Sequence, residues 1–233
     1  MSVKTPRRRT PGPRRPPATP LPPSDSRQRI LHAAAAEFAL RGFEPATVDR
    51  IARRARLNKA MIYYHFRSKR ALYTSVLRNL FTLMGDCLAA TAASTDPPQV
   101  RLDRFVSAFV LEGQRLAHFA PIMLRELASG GRRLDEETLA VTARVAGIVR
   151  SILDQGRRDG AFAPVDPLLL ALTTVWPIVA YLASGPIRHA VARISHAEPG
   201  RLDPDRFILH LQTLNRRALT PAAAADIPTG VTS

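Results

Sequence analysis

A chain of 233 residues with 45% apolar side chains can bury one large or two small cores, which excludes a wholly disordered protein. Its net charge of +15 excludes indifference to polyanions. A single cysteine, Cys87, excludes an intrachain disulfide framework and a thiolate metal cluster.

The charge is unevenly placed. Through Arg78 there are 18 Lys+Arg against four acids (Asp25, Glu37, Glu44, Asp49), a balance of +14; the remaining 16 basic and 15 acidic residues leave +1. A nearly neutral body behind a strongly basic front implies a polyanionic partner at that end. Nucleic acid leads, and an anionic membrane surface is the alternative. No apolar segment follows the N-terminal arginines, so neither a secretory nor a twin-arginine signal is expected. With the lone cysteine, this fits a cytoplasmic, nucleoid-associated location.

Residues 1–23 are rich in proline and arginine, and almost nothing in them is apolar, so a disordered basic arm is expected there. Such an arm either tracks phosphates beside a main site or is a solvated tail. A first helix is predicted from about Ser26, capped by Ser24, Asp25 or Ser26. Ile30, Leu31, Ala34, Ala35, Phe38 and Ala39 supply its three- and four-residue spacing, and Gly42 stops it. Thr47 is placed to cap a second helix whose Ile51, Ala52 and Ala55 face inward, while Arg50, Arg53, Arg54 and Arg56 face outward.

Asn58 is suited to cap a third helix opened by Lys59, Ala60 and Met61. Ile62 and Phe66, four residues apart, lock that helix inward. Lys59, Ala60, Met61, Tyr63, Tyr64 and His65 are left to the outside, with Tyr64 partly in the core as the alternative. Two short helices broken by a tight turn over 47–66, with cations and aromatics on the second, form a helix-turn-helix pattern of the kind that sets a recognition helix in the major groove. Lys59 suits guanine O6 or N7, and Met61 or Ala60 a thymine methyl. Ser68 caps a fourth helix through Lys69, Leu72, Tyr73, Val76, Leu77, Leu80 and Phe81 to about Ala90.

Ile30-Leu31, Ala34, Phe38, Gly42-Phe43, Thr47-Val48, Ile51-Ala52, Ala55 and Tyr63-Tyr64-His65-Phe66-Arg67-Ser68-Lys69, taken in order, resemble the N-terminal domain of the TetR/AcrR family of transcriptional regulators. The resemblance covers about residues 24–84. It implies an all-α fold, with a three-helix DNA-binding domain (24–84) and a larger helical effector-binding and dimerisation domain (85–219). It also implies that Thr47, Tyr63, Tyr64, His65 and Lys69 touch phosphates or bases, with Thr47 alternatively a plain helix cap. Arg50 and Lys59 to Met61 complete the expected DNA-binding set. One departure stands out: Arg56 occupies the turn position where the family usually has glycine. An arginine in a left-handed turn costs about 1 kcal/mol relative to glycine, so a rebuilt turn is expected.

In the body, an amphipathic helix is predicted over 99–117 (Leu102, Phe105, Val106, Phe109, Val110). A second opens at Pro121 and ends at Gly130-Gly131, and a third runs from Asp135 to Arg158. Glu126 and Asp135-Glu136-Glu137 read as solvated or capping charges. Pro167 to Ile187 carries no charge over 21 residues; Pro177, Thr173, Thr174, Ser184, Gly185 and Pro186 argue for a buried or dimer-interface helix over a membrane span. A last helix spans Asp203 to Leu219, and a disordered tail is expected over 220–233. The resemblance implies that the last two long helices pair with their counterparts in a homodimer.

Met84, Cys87, Phe105, Phe109, Met123, Trp176 and Tyr181 are candidates by helix register to line a pocket for a small apolar effector. Ordinary core packing is the competing reading for each. The six histidines (32, 65, 118, 189, 196, 210) are scattered without metal spacing, and no phosphate-cradling glycine loop occurs. Neither an enzyme nor a cofactor or metal is expected. The sequence thus points to a ligand-responsive repressor that binds a palindromic double-stranded DNA operator as a dimer, with a nonspecific architectural DNA binder as the alternative.

Overall fold

The computed structural model describes residues 23–195 and 203–221. Except at their inner edges, the basic arm and the C-terminal tail lie outside the described residues. Among the described residues ten helices follow one another: α1 (Pro23–Arg41), α2 (Val48–Ala55), α3 (Lys59–His65), α4 (Lys69–Ala92), α5 (Pro98–Arg115), α6 (Phe119–Ala128), α7 (Glu136–Arg158), α8 (Pro167–Ala183), α9 (Gly185–Ile194) and α10 (Pro204–Leu219). The chain is all-α among the described residues.

The capping residues read from the sequence start the helices where expected. Thr47, Asn58, Ser68 and Asp135 each accept a backbone N–H from the first turn of α2, α3, α4 and α7. Asp166 and Asp203 do the same for α8 and α10. Each such cap is worth about 1 kcal/mol. α1 differs: it already begins at Pro23, and Ser26 lies inside it, buried, instead of capping it. Gly42 ends α1 with φ 83°, in the left-handed region where a side chain would be strained.

Ile30, Ala34 and Phe38 of α1, Ile51 of α2, Ile62 and Phe66 at α3, and Leu72, Tyr73 and Val76 of α4 form the front of the core. The same core runs on without a break into Leu88, Leu102, Phe105, Val106, Val149, Ile152, Ile178 and Val179. The expected division at 84–85 therefore falls inside α4, which packs on α1 in front and on α5 and α7 behind. The body closes on itself by polar ties. Gln212 of α10 donates to the Asp103 carbonyl at 2.9 Å, Ala163 N–H donates to the Leu219 carbonyl at 2.9 Å, and Arg216 pairs with Asp103 at 2.5 Å. Buried Arg101 of α5 is bonded to Gln155 of α7.

The uncharged stretch from Pro167 is not one helix. Ser184 ends α8, and α9 leaves at 68° to it. No single helix among the described residues is long and apolar enough to cross a membrane; only the bent α8–α9 pair has the composition. Leu170, Ala171, Thr174, Ile178 and Val179 bury one side of α8, while Leu168, Leu169 and Leu172 remain exposed.

Asp135 joins α7 to α4. Its carboxylate accepts from Thr138 N–H at 3.0 Å, from the Thr138 hydroxyl at 2.7 Å, and from the Arg78 guanidinium. Partial burial opposes its charge, but the bonds from Arg78 and Thr138 outweigh burial and hold its pKa down to about 2. A carboxyl with a depressed folded pKa stabilises fully above its unfolded value of roughly 3.9 and loses that contribution as pH falls through the folded value. Asp135→Asn is expected to lower stability at neutral pH by about 1 kcal/mol, discounted for solvent screening. It should also flatten the fall in stability between pH ~4 and ~2, as measured by urea denaturation across pH.

Candidate nucleic-acid interface

α2, the turn after it and α3 form the helix-turn-helix read from the sequence. Thr47 Oγ1 accepts Arg50 N–H at 3.3 Å and opens α2. At the other end Arg56 takes the left-handed conformation, φ 53° and ψ 42°. Its N–H reaches the Arg53 carbonyl at 3.1 Å, and Leu57 N–H reaches the Ala52 carbonyl at 3.0 Å. The turn is thus not rebuilt. Arginine adopts the backbone usually given to glycine, because these two bonds satisfy the last carbonyls of α2. Arg29 of α1 adds a third, donating to the Ala55 carbonyl at 2.8 Å, a cation at the negative end of the helix. Asn58 Oδ1 then accepts Met61 N–H at 2.8 Å and starts α3 two residues later.

α3 is held by Ile62 and Phe66, both buried, with the Arg27 guanidinium over the Phe66 ring. Its other faces are open. Lys59 and Ala60 are exposed, Met61 is half-buried, and Tyr63 and Tyr64 are 47% and 76% exposed. Tyr64 therefore stands outside the core, its ring edge-on to His65 at 5.1 Å. His65 is half-buried, with no hydrogen-bond partner for Nε2 among the described residues. Lys59 Nζ lies 3.1 Å from the Asp49 carboxylate. Both side chains are half or more exposed, so the pair is worth at most about 1 kcal/mol, and Lys59 can exchange Asp49 for a base or phosphate.

Two expected contacts are drawn into the support of the motif. Lys69 donates to the Glu44 and Ala46 carbonyls at 3.1 and 3.2 Å and sits over the Phe43 ring at 4.5 Å. It pins the loop between α1 and α2, a task invisible in its sequence position; one of its three N–H donors remains for a phosphate. Arg50 and Arg54 approach Glu37 at 4.0 and 3.8 Å, and Arg41 binds the same carboxylate at 2.9 Å. Glu37 is buried, an acid enclosed by three arginines. Arg53, Arg67 and Arg70, which the sequence-derived set omitted, are exposed on α2 and beside the start of α4. The basic run itself was the signal for them.

The loop carrying Thr47 is also gripped from the body. Arg125 of α6 donates to the Ala39 and Leu40 carbonyls at 3.2 and 3.0 Å, capping the end of α1. Arg133 lies over Phe43 and reaches Glu44 at 3.3 Å. Glu126, expected to be a solvated or capping charge, is instead buried. It accepts the Tyr73 hydroxyl at 2.6 Å and faces Arg133 at 3.7 Å. Burial and the Glu126 contact push the Tyr73 phenol well above its usual pKa.

Of the candidates for an effector pocket, Met84, Phe105, Phe109 and Tyr181 are buried in the core, and Met123 and Trp176 pack partly buried against it. Phe105 and Phe109 meet edge-to-face at 6.0 Å, and Tyr181 stacks on Phe207 at 4.0 Å. Cys87 is half-buried, and burial, then the nearby Glu112, raises its thiol pKa. Tyr181 also borders a cavity of about 330 Å³, beside Gly113, Gln114, Ala117, Leu182 and Arg188.

The sequence profile of the family described as bacterial regulatory proteins, tetR family, matches residues 30–76, from α1 into α4. The HTH-type transcriptional regulator RutR of Escherichia coli (strain K12) is 30% identical over 154 residues, 62% of this chain and 68% of RutR. The chain belongs to the tetR family. Two further relatives are matched over smaller shares of their length. The HTH-type transcriptional repressor NicS of Pseudomonas putida is 29% identical over 140 residues, 59% of this chain and 66% of NicS. The activator FasR of Mycolicibacterium smegmatis is 40% identical over 90 residues, 38% of this chain and 41% of FasR. The chain thus spans just under two thirds of NicS and less than half of FasR. A tetR-family regulatory protein from Rhodococcus RHA1 shares the fold with a TM-score of 0.68, 22% identity, and coverage of 84% of this chain and 97% of that one.

Within this tetR-type motif, Arg56→Gly is expected to relieve the left-handed strain and stabilise the protein by up to about 1 kcal/mol, read as a rise in Tm. An unchanged or lowered Tm would show that Arg56 is not strained.

Proposed function

We propose that this chain is a sequence-specific DNA-binding transcriptional regulator that reads a palindromic operator as a homodimer and responds to a small-molecule effector. The observation that carries the reading is α3. It is a short helix clamped by Ile62 and Phe66, and it offers Lys59, Ala60, Met61, Tyr63 and Tyr64 outward from the most basic part of the chain. Lys59 and Met61 lie in its first turn, where side chains reach base edges; Thr47, Tyr63, Tyr64 and His65 serve phosphates or the outer bases. NicS bears the name of a repressor and FasR that of an activator; repression is the proposed outcome here. The site of action is the cytoplasm, at the nucleoid, and no catalytic role is assigned.

One such helix reads only a few base pairs, so specificity requires a second copy. Leu168, Leu169 and Leu172 of α8, with Leu209 and Leu214 of α10, are the proposed dimer face; α8 and α10 are joined by Thr174–Asn215 at 3.3 Å and by the Tyr181–Phe207 stack. Exposed leucines scattered singly are ordinary, but a cluster on adjacent helices supports an interface. Leu169→Arg is expected to shift the chain from dimer to monomer in sedimentation velocity at micromolar concentration; a monomeric parent chain would contradict the dimer.

Selection of bound duplexes from a random pool tests the main reading. A two-fold symmetric consensus is expected, and Lys59→Ala should relax preference at one position in each half-site. No consensus, together with a steep salt dependence, would favour an architectural DNA binder.

A further inference from the structure

We propose that the junction between α1, α4 and the α5–α6 connection is a binding site for a small amphiphilic carboxylate. A cavity of about 200 Å³ lies there. Leu31 of α1, Val76 and Leu80 of α4, and Leu116 give it an apolar floor. His32 and Gln28 of α1, Asn79 of α4, Arg115 at the end of α5 and His118 of the connection supply its polar wall. The two imidazoles meet edge-to-face at 5.9 Å. Gln28 and His32 also wall a wider groove of about 690 Å³, whose other side is Arg29, Arg54 and Arg56.

No carboxylate lines either space. Glu112 is nearby but is engaged by Arg115 at 2.6 Å. The groups facing His118 are His32 from α1, Arg54 from α2, Arg115 beside it and the neutral Asn79 from α4. Burial first, then His32 and Arg54, push the His118 pKa down. The site therefore sets two imidazoles, the amides of Gln28 and Asn79 and the Glu112-paired Arg115 over an apolar floor, with no acid in its own lining. An anionic head with a short apolar body answers both halves. Two imidazoles without a third ligand fall short of a metal site, and among the described residues no cluster of three metal-ligating side chains occurs. The volume is below the roughly 300–1,000 Å³ usual for drug-sized ligands, which limits the body to a medium acyl chain or one aromatic ring.

The placement gives such a ligand leverage. α6 begins at the cavity, beside His118, and near its far end Arg125 caps α1; the cavity flanks α1 at Gln28 to Ala35. A ligand there braces one end of the contact between α1 and α6, whose other end positions the loop before α2. Its consequence for DNA rests on the proposed function; the site itself does not.

The test uses the full chain without DNA, so that its outcome is separate from the operator selection. Octanoate and benzoate are titrated by calorimetry against octanamide and benzamide, while the His118 ring proton, assigned with His118→Gln, is followed by NMR across pH. The expected result is saturable binding of at least one carboxylate, an upward shift of the His118 pKa on saturation, and at least about tenfold weaker binding of the amide. His118→Gln and Leu83→Trp, the latter a wall residue that is 38% exposed and tolerant of size, should each weaken binding without lowering Tm. No saturable binding of either carboxylate at millimolar concentration overturns the proposal. Binding that leaves the His118 titration unchanged, or that survives both substitutions intact, overturns it equally.

Discussion

Glu126 is 1% exposed, and an unpaired carboxylate cannot be kept so far from water. Its partners add a polar tie between the front helices and the body to the core they share. Tyr73 comes from α4, within the front part of the core, and Arg133 comes from the turn after α6. Arg133 carries the constraint forward to Phe43 and Glu44, and the neighbouring Arg125 carries it to the last carbonyls of α1. Removing one partner of a buried charge costs about 3–5 kcal/mol, far more than a surface pair.

From that loop α3 is set by short-range means. Lys69 holds the Glu44 and Ala46 carbonyls, Thr47 starts α2, Arg56 turns the chain and Asn58 starts α3. α3 has only seven residues, too few to be stable alone; its orientation comes from Ile62, Phe66 and these caps. α6 and the turn after it reach α3 only through Arg125, Arg133 and the loop before α2. The junction cavity lies at the other end of the contact between α1 and α6.

The fold was largely legible because local signals agree. Caps at Thr47, Asn58, Ser68 and Asp135, helical spacing in α1 and α7, and the ordered residues from Ile30 to Lys69 all point to one arrangement. What escaped the sequence depends on distance along the chain. Glu126 meets Tyr73 across 53 positions, and Arg125 meets Ala39 across 86, so neither burial nor capping was visible in the local pattern. The carbonyls that Lys69 serves lie 25 and 23 positions away, so this second task was invisible beside it in sequence. The break at Ser184 was masked because the uncharged run continues through it into α9. Arg56 shows the reverse: the composition argued against a left-handed turn, and the surrounding hydrogen bonds impose it.

The body holds the helix-turn-helix through the grip of Arg125 and Arg133 on the loop before α2. Hydrogen–deuterium exchange on the full chain and on the Arg125→Ala, Arg133→Ala double variant tests this grip. Faster exchange is expected through the last turn of α1, residues 42–47 and the backbone of α2 and α3, with the α8 and α10 amides unchanged. Faster exchange confined to α6 and its following turn, with α2 and α3 as protected as in the parent, would contradict it.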